Sequence, residues 1–329
     1  MSAALDRFLP RTSSRSARTV AVIVVVLALL LVPQVFGEYR LLLANLMLTN
    51  VIVAIGLVVL IGWSGQFAFT SAAFMSVGAY SGGLLASRHP DMPLEFALLI
   101  SVLAGVAVGT VFGLAAVRVR QYYLAIATIA FMYLLQLLLR QGGKTTGGVD
   151  GFLASSPTSV LLGGRPLVSA GSQYYVGLAL VALVLAGVVW LRRTPLARGW
   201  VALKSDDRYA QAIGVNVYIS RLAAFVIASG IFALAGCWFT YVSQYVDPNS
   251  FGFDVLLSHF IFLVVGGITS PVWVAVSAAG LTAVSEYVRS FIGLSEIAFG
   301  VILLVSVLTL RGGLYGLFHK LTGRRERWT

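Results

Sequence analysis

Few side chains in this sequence could carry covalent or metal chemistry. The three histidines (His89, His259 and His319) and the single cysteine, Cys237, lie far apart in sequence, at no spacing that suggests a compact ligand set. The stretch "GGKTTGG" (142–148) contains the Gly-Lys-Thr of a phosphate-binding loop. Leu138, however, stands where that loop needs its first glycine, and no strand-to-helix frame surrounds it. No nucleophile, base and orienting group come together along the chain. The residues therefore point to binding and positioning, with no metal, no cofactor and no enzymatic step expected.

What remains is a small set of amides, hydroxyls and one imidazole inside apolar runs. "NLMLTN" (45–50) places Asn45, Thr49 and Asn50 in such a run, with Asn45 and Thr49 four apart on one helix face. "GWSGQFAFTSAAFMSVGAYSGG" (62–83) mixes glycines and serines with Gln66. Broken backbone at membrane depth is tolerated only where protein or a water-filled cavity covers it. Gly65, Gln66 and Ser71 thus have two readings, small-residue packing or the lining of a substrate path. His259 also has two readings, a path contact or a residue at the membrane interface. Glu286, near Arg289, reads as one half of an interfacial ion pair.

A polar island, "KSDDRYAQAIGVN" (204–216), contrasts with these runs. It reads as a short helix with Ser205 as N-cap and Asp206 and Asp207 in the first turn, where the helix dipole favours negative charge. Ala210, Gln211, Ala212 and Ile213 continue it and Gly214 stops it. A capped, polar helix in the longest basic loop suits a docking role; a solvated connector is the bland alternative.

The elements that position these residues follow from composition. The 329 residues are 59% hydrophobic and 11% charged, with a mean hydropathy of +0.92. A bilayer core of about 30 Å needs about 20 apolar residues per helix. Ten apolar segments are readable, at roughly 20–36, 40–61, 66–86, 93–117, 121–139, 173–191, 221–243, 255–268, 271–288 and 294–310. The expected fold is an all-α integral membrane protein, a polytopic bundle of about 8–10 transmembrane helices, some broken or re-entrant. A basic N-terminal tail (1–19), a membrane domain (20–310, with the polar loop at 192–220) and a basic C-terminal tail (311–329) divide the chain. If all ten segments cross, seventeen Lys and Arg fall on one side and six on the other. Lys and Arg concentrate in cytoplasmic loops, so both termini and the 192–220 loop are expected in the cytoplasm. The charge of +11 is then topology and contact with membrane lipid, without a nucleic-acid partner. The first segment could be a signal peptide, but "PQVFGEYR" lacks a small-x-small cleavage site, and retention is expected.

Several blocks together resemble a known family. "GLVVLIGWSGQFAFTSAAFMSVGAY", "RVRQYYLAIATIAF", "TTGGVDGF", "ALKSDDRYAQAIGVN", "DPNSFGFDVLLSHFIFLVVGG" and "RGGLYGLF" occur in the order seen in permease subunits of branched-chain amino-acid ABC importers, the LivH/LivM permease family. The resemblance implies a multi-pass protein of the bacterial inner membrane. Its implied partners are a second homologous permease, two cytoplasmic ABC ATPases and an extracytoplasmic substrate-binding protein. It further implies that Ser205, Asp206, Asp207, Arg208, Ala210 and Gly214 form a coupling helix that docks on an ATPase. Asn45, Asn50, Gly65, Gln66, Ser71 and His259 would belong to the substrate pathway. Thr146, Gly147, Gly148, Asp150, Asp247 and Asn249 would contact the binding protein. Arg208 and Tyr209 depart from the family's usual Glu-Ala there, and "ITSPVW" (268–273) departs from its usual Gly-Ser.

Alternating access driven by the ATPases is the mechanism this implies. The alternatives are the same architecture carrying urea, amides, aromatic amino acids or nucleosides, an ion-coupled secondary transporter, and a membrane-embedded enzyme. The last two lack the buried ionisable series or clustered acids and histidines they would need.

Overall fold

A computed structural model describes residues 24, 27–89, 92–119, 121–154, 158–159, 165–166, 169–289, 313, 314 and 316. The segment expected at 294–310 and nearly all of both basic tails lie outside the described residues, as do 20–23, 25 and 26 of the first segment, whose residues 27–35 are helical. Within them the chain is an α-helical bundle. Six stretches are long and apolar enough to cross a membrane: 38–63, 94–116, 122–141, 170–191, 217–243 and 248–266.

The helices follow in chain order. α1 is Glu38–Leu57, extended without interruption by a π-helical stretch, Val58–Trp63. α2, Ser71–Gly78, runs through a second π-helical stretch, Ala79–Gly83, into α3, Leu84–Arg88. α4 is Leu94–Ala116, α5 Gln121–Gln141 and α6 Ala170–Leu191. Two short helices, α7 (Pro195–Ser205) and α8 (Asp207–Ala212), precede α9, Val217–Ser243. α10 (Phe253–Gly266) and α11 (Pro271–Arg289) complete the set. The apolar segment expected at 66–86 is thus an extended stretch followed by a helix with a π interruption. That outcome fits its glycine and serine content, because these residues leave the helix weakly specified.

Helix ends follow local chemistry. Thr194 precedes Pro195, whose missing N–H falls among the free amides of a first turn. The Asn216 side chain accepts a hydrogen bond from the Ile219 amide and starts α9. Ser169 caps α6 by accepting from the Ser172 amide.

α1 and α9 occupy the centre. α1 packs on α6, α9 and α11, and α9 packs on α1, α2 and α4. The most apolar window of 38–63 is 83% buried within the protein, against 22% for α5 and for α6. An apolar helix therefore has two destinations, protein core or lipid, and hydropathy alone does not separate them. Close packing selects the core positions through small residues. Phe74 on α2 packs edge-on against Phe225 on α9, with centroids 5.8 Å apart, and Phe112 on α4 stacks on Phe131 of α5 at 4.1 Å.

The bundle has two distinct ends. At one end Trp63 donates to the Thr269 carbonyl (3.0 Å), Gln66 to the Arg221 carbonyl (2.9 Å) and Tyr218 to the Leu114 carbonyl (3.0 Å). The turn at 63–66, the loop 192–216 and the turn at 267–270 therefore share it. At the other end Arg88 donates to the Thr145 carbonyl. There a strand β1 (Phe152–Leu153) pairs antiparallel with β4 (Tyr245–Val246), Phe152 opposite Val246. A second small pair, β2 (Thr158–Ser159) with β3 (Arg165–Pro166), lies in the same connection between α5 and α6.

Candidate functional site

The polar loop begins differently from the sequence expectation. Ser205 ends α7, its hydroxyl turned back to the Val201 carbonyl (3.3 Å), and does not cap the next helix. Asp206 does: its extended backbone lets Oδ1 accept from the Arg208 amide at 2.6 Å. The physical reason is that α7, started by Pro195, runs far enough to take in Ser205. Asp207 stands in the first turn as expected, and its carboxylate binds Arg221, with Nη2 at 2.8 and 2.9 Å from the two oxygens. Gly214, at φ +82°, closes the helix with its amide donated to the Gln211 carbonyl. Ala210 is wholly buried, whereas Arg208, Tyr209 and Ile213 are exposed, Tyr209 by 60%. α8 thus presents a mixed apolar and basic face outward and one small residue inward.

Behind this loop lies the broken end of α1. Ser64 and Gln66 amides still bond back to Val59 and Leu60 carbonyls, and Gly65 turns the chain at φ +71°. Gln66 Nε2 donates to Ser64 Oγ and to the Arg221 carbonyl, both at 2.9 Å. Lys204 Nζ donates to the Gly62 carbonyl at 2.8 Å. Partial desolvation of the ammonium holds its pKa below the ordinary lysine value. A Cβ on Gly65 would sit 3.2 Å from Lys204 Cγ, so the glycine lies against the lysine stem.

Farther in, Ser71 Oγ and His259 Nδ1 are 3.1 Å apart, and both residues are 1% exposed. His259 is therefore inside the bundle between α2 and α10, not at its surface. The neighbouring Thr128 hydroxyl accepts from the Phe69 amide at 2.9 Å, and the Thr70 hydroxyl is buried without a hydrogen-bond partner. Other polar residues of the expected pathway sit apart from this pair. Asn45 donates to the Ala170 carbonyl (3.0 Å) and Asn50 to Thr282 Oγ1 (3.0 Å), linking α1 to α6 and α11. Gly65 and Gln66 join the loop end instead. Glu286 accepts from the Tyr39 hydroxyl at 2.8 Å.

The six residues expected at the outer loops are brought to one end of the bundle. Thr146 Oγ1 donates to the Leu139 carbonyl and accepts from the Gly148 amide. Gly147 lies at φ +82°, and a Cβ there would meet the Gly151 carbonyl at 1.8 Å. The Asp150 carbonyl accepts from the Tyr245 hydroxyl (2.7 Å), and Asp247 Oδ1 accepts from the Ser250 amide (2.7 Å). Asn249 Oδ1 accepts from Arg140 Nη2 at 2.6 Å. Val149, Leu153 and Tyr245 are exposed on this platform. Sequence reading passed over Lys204, Arg221 and Thr128, because a single lysine, arginine or threonine near a helix end carries no pattern of its own.

No solved structure matches the chain. It is similar to the high-affinity branched-chain amino acid transport system permease protein LivM of Escherichia coli K12, 28% identical over 293 residues, which cover 82% of this chain and 68% of that protein. The LivM protein of Salmonella typhimurium LT2 matches to the same extent. The autoinducer 2 import system permease protein LsrC of Enterobacter sp. 638 is 32% identical over 203 residues, 59% of this chain and 55% of its own. Residues 39–310 match the family described as the branched-chain amino acid transport system / permease component. With its broken central helices, buried core and multi-pass architecture, the chain is a transport subunit of the inner membrane and belongs to that permease family.

Proposed function

We propose that this chain is the membrane permease of an ATP-driven importer for branched-chain or related amino acids. It would act with a second homologous permease, two cytoplasmic ABC ATPases and an extracytoplasmic binding protein. The observation that carries the reading is the family match across 39–310, joined to a short, capped, outward-facing helix in the most basic loop. Both termini and the 192–220 loop would face the cytoplasm. The seventeen-to-six distribution of basic residues supports this.

In this reading α8 docks on an ATPase through Arg208, Tyr209 and Ile213, with Asp206 and Gly214 holding its ends. ATP-driven closure displaces the helix and tilts α9 and α1, and the bundle alternates between outward and inward access. The platform of Thr146–Asp150 and Asp247–Asn249 receives the binding protein. Ser71 and His259 offer a hydroxyl and an imidazole to a zwitterionic solute at a transient site. The similarity to LsrC supports a second reading with the same architecture and a different cargo, of the kind that protein's name gives, autoinducer 2.

Purification of the tagged chain from its native membranes in mild detergent tests the proposal. Co-purification of a second permease with two ATPases, and ATP-dependent uptake of leucine in proteoliposomes with the binding protein, is the expected result. Recovery of the chain alone, moving solute without ATP, would overturn it.

A further inference from the structure

The loop end contains a joint that the docking helix by itself does not account for. Two polar links run to the broken end of α1, one from the loop and one from the start of α9. Lys204, on the last turn of α7, donates to the Gly62 carbonyl at 2.8 Å. Gln66, just past the break, donates to the Arg221 carbonyl at 2.9 Å, while the Arg221 guanidinium binds Asp207 of α8. The links reach α1 on either side of Gly65, the residue at φ +71° where the chain leaves the helix. Gly62 itself is seated without slack, since a Cβ on it would lie 2.0 Å from the Ile268 carbonyl. The turn between α10 and α11 therefore backs the joint from the other side, with Trp63 bonded to Thr269.

The chain between these links and the Ser71–His259 pair is only residues 66–70, which are non-helical. A displacement of Gly62–Gln66 thus passes to Ser71 through a few residues, without bending a long helix. Two buried groups at the joint lack partners: the Gln66 amide oxygen and Arg221 Nε, an acceptor and a donor. Buried polar groups are ordinarily paired, and this complementary couple suits a joint with a second arrangement.

We propose that Lys204 and Gln66 are positioning residues that tie the broken end of α1 to α7 and to the start of α9, where Arg221 binds α8, so that movement of α8 is transmitted to the 62–70 segment and from there to Ser71. The proposal rests on the importer reading above, in which α8 moves with the ATPases. The loop then acts on the bundle at two separate points: its covalent connection to α9, and these hydrogen bonds to α1. Removing the donors leaves the covalent path intact and breaks the second.

The test uses the complete complex in proteoliposomes with its binding protein and leucine, reading leucine moved and ATP hydrolysed in the same sample. Lys204→Met keeps an apolar stem and removes the donor. It is expected to leave assembly and ATP hydrolysis unchanged and to lower leucine moved per ATP by about fivefold or more, the scale of a modest coupling energy. Lys204→Arg, which keeps a donor, is expected to restore most of the ratio. Gln66→Met probes the second link with Lys204 untouched and decides the matter if Lys204→Met fails to assemble; the same loss of ratio is expected. An unchanged ratio in the assembled variants overturns the tie while leaving the importer reading intact. Parallel loss of hydrolysis and transport, with the ratio preserved, also overturns it, since that is the mark of damaged folding. A wild-type complex that hydrolyses ATP without moving solute would overturn the importer reading, and the proposal with it.

Discussion

Gly236 on α9 faces Met75 on α2 so closely that a Cβ built on the glycine would lie 1.9 Å from the Met75 carbonyl oxygen. One turn away the relation is reciprocated, with a Cβ on Gly78 meeting the Ala233 carbonyl at 1.8 Å. Two backbones are in contact, and no side chain of either helix separates them. Lipid tails are as apolar as leucine, so tight backbone packing supplies the association that hydrophobic burial cannot.

Substitution at this contact is expected to reverse the usual sign of a helix glycine. Replacing an interior Gly by Ala normally gains up to about 1 kcal/mol. Gly236→Ala or Gly78→Ala should instead destabilise the bundle by about 1–3 kcal/mol, the cost of overpacking. Gly187→Ala on α6, where nothing lies within 4 Å, should be neutral or stabilising. Thermal unfolding in detergent reads all three, and equal behaviour would refute the contact.

Gly214 separates backbone strain from crowding. Its φ of +82° favours glycine, yet a Cβ there meets nothing within 4 Å. Gly214→Pro loses the bond to the Gln211 carbonyl and forces φ negative. Uptake should fall while membrane abundance holds, because the exposed loop contributes little to the bundle's stability. Normal uptake would remove the docking role of α8.

The Asp207–Arg221 pair is half exposed on its acid side, with side-chain exposures of 20% for Arg221 and 44% for Asp207. An ion pair of this exposure is worth about 0–1 kcal/mol in stability. Asp207→Lys should therefore shift the melting temperature little, yet impair uptake, since it places two like charges at the joint. A large drop in melting temperature with unimpaired uptake would assign the pair to structure alone.

Ser71 and His259 make opposite predictions for small and large replacements. Ser71→Ala deprives a buried imidazole nitrogen of its partner and should cost about 1–3 kcal/mol. Ser71→Trp should block uptake while the ATPases remain bound. Transport at the wild-type rate in the tryptophan variant would confine this pair to packing.

On the platform of 146–150, Gly147→Val places a side chain against the Gly151 carbonyl and strains a left-handed residue. It is expected to weaken stimulation of ATP hydrolysis by the loaded binding protein while basal hydrolysis persists. Stimulation at the wild-type level would take the binding-protein contact elsewhere.

Membrane class, helical architecture, the broken 62–83 stretch and the polar island were all readable from residue order, because each depends on local composition. Apolar run length sets whether a segment can cross, and glycine and serine density weakens a helix wherever it lies. A polar run with acid at its start caps a turn without help from the rest of the chain. The cap is Asp206 where Ser205 is expected, since its place depends on where the preceding helix stops, and that follows from how far α7 packs. Only the tertiary structure decided which apolar helices are core and which are left uncovered by protein: α1 and α6 read alike in hydropathy and differ in burial. It also decided that Gln66 meets Arg221 and that His259 meets Ser71, 155 and 188 residues apart in sequence. Such pairings depend on the register at which helices dock, and that register is set by backbone contacts at glycines, whose positions carry no hydropathy signal.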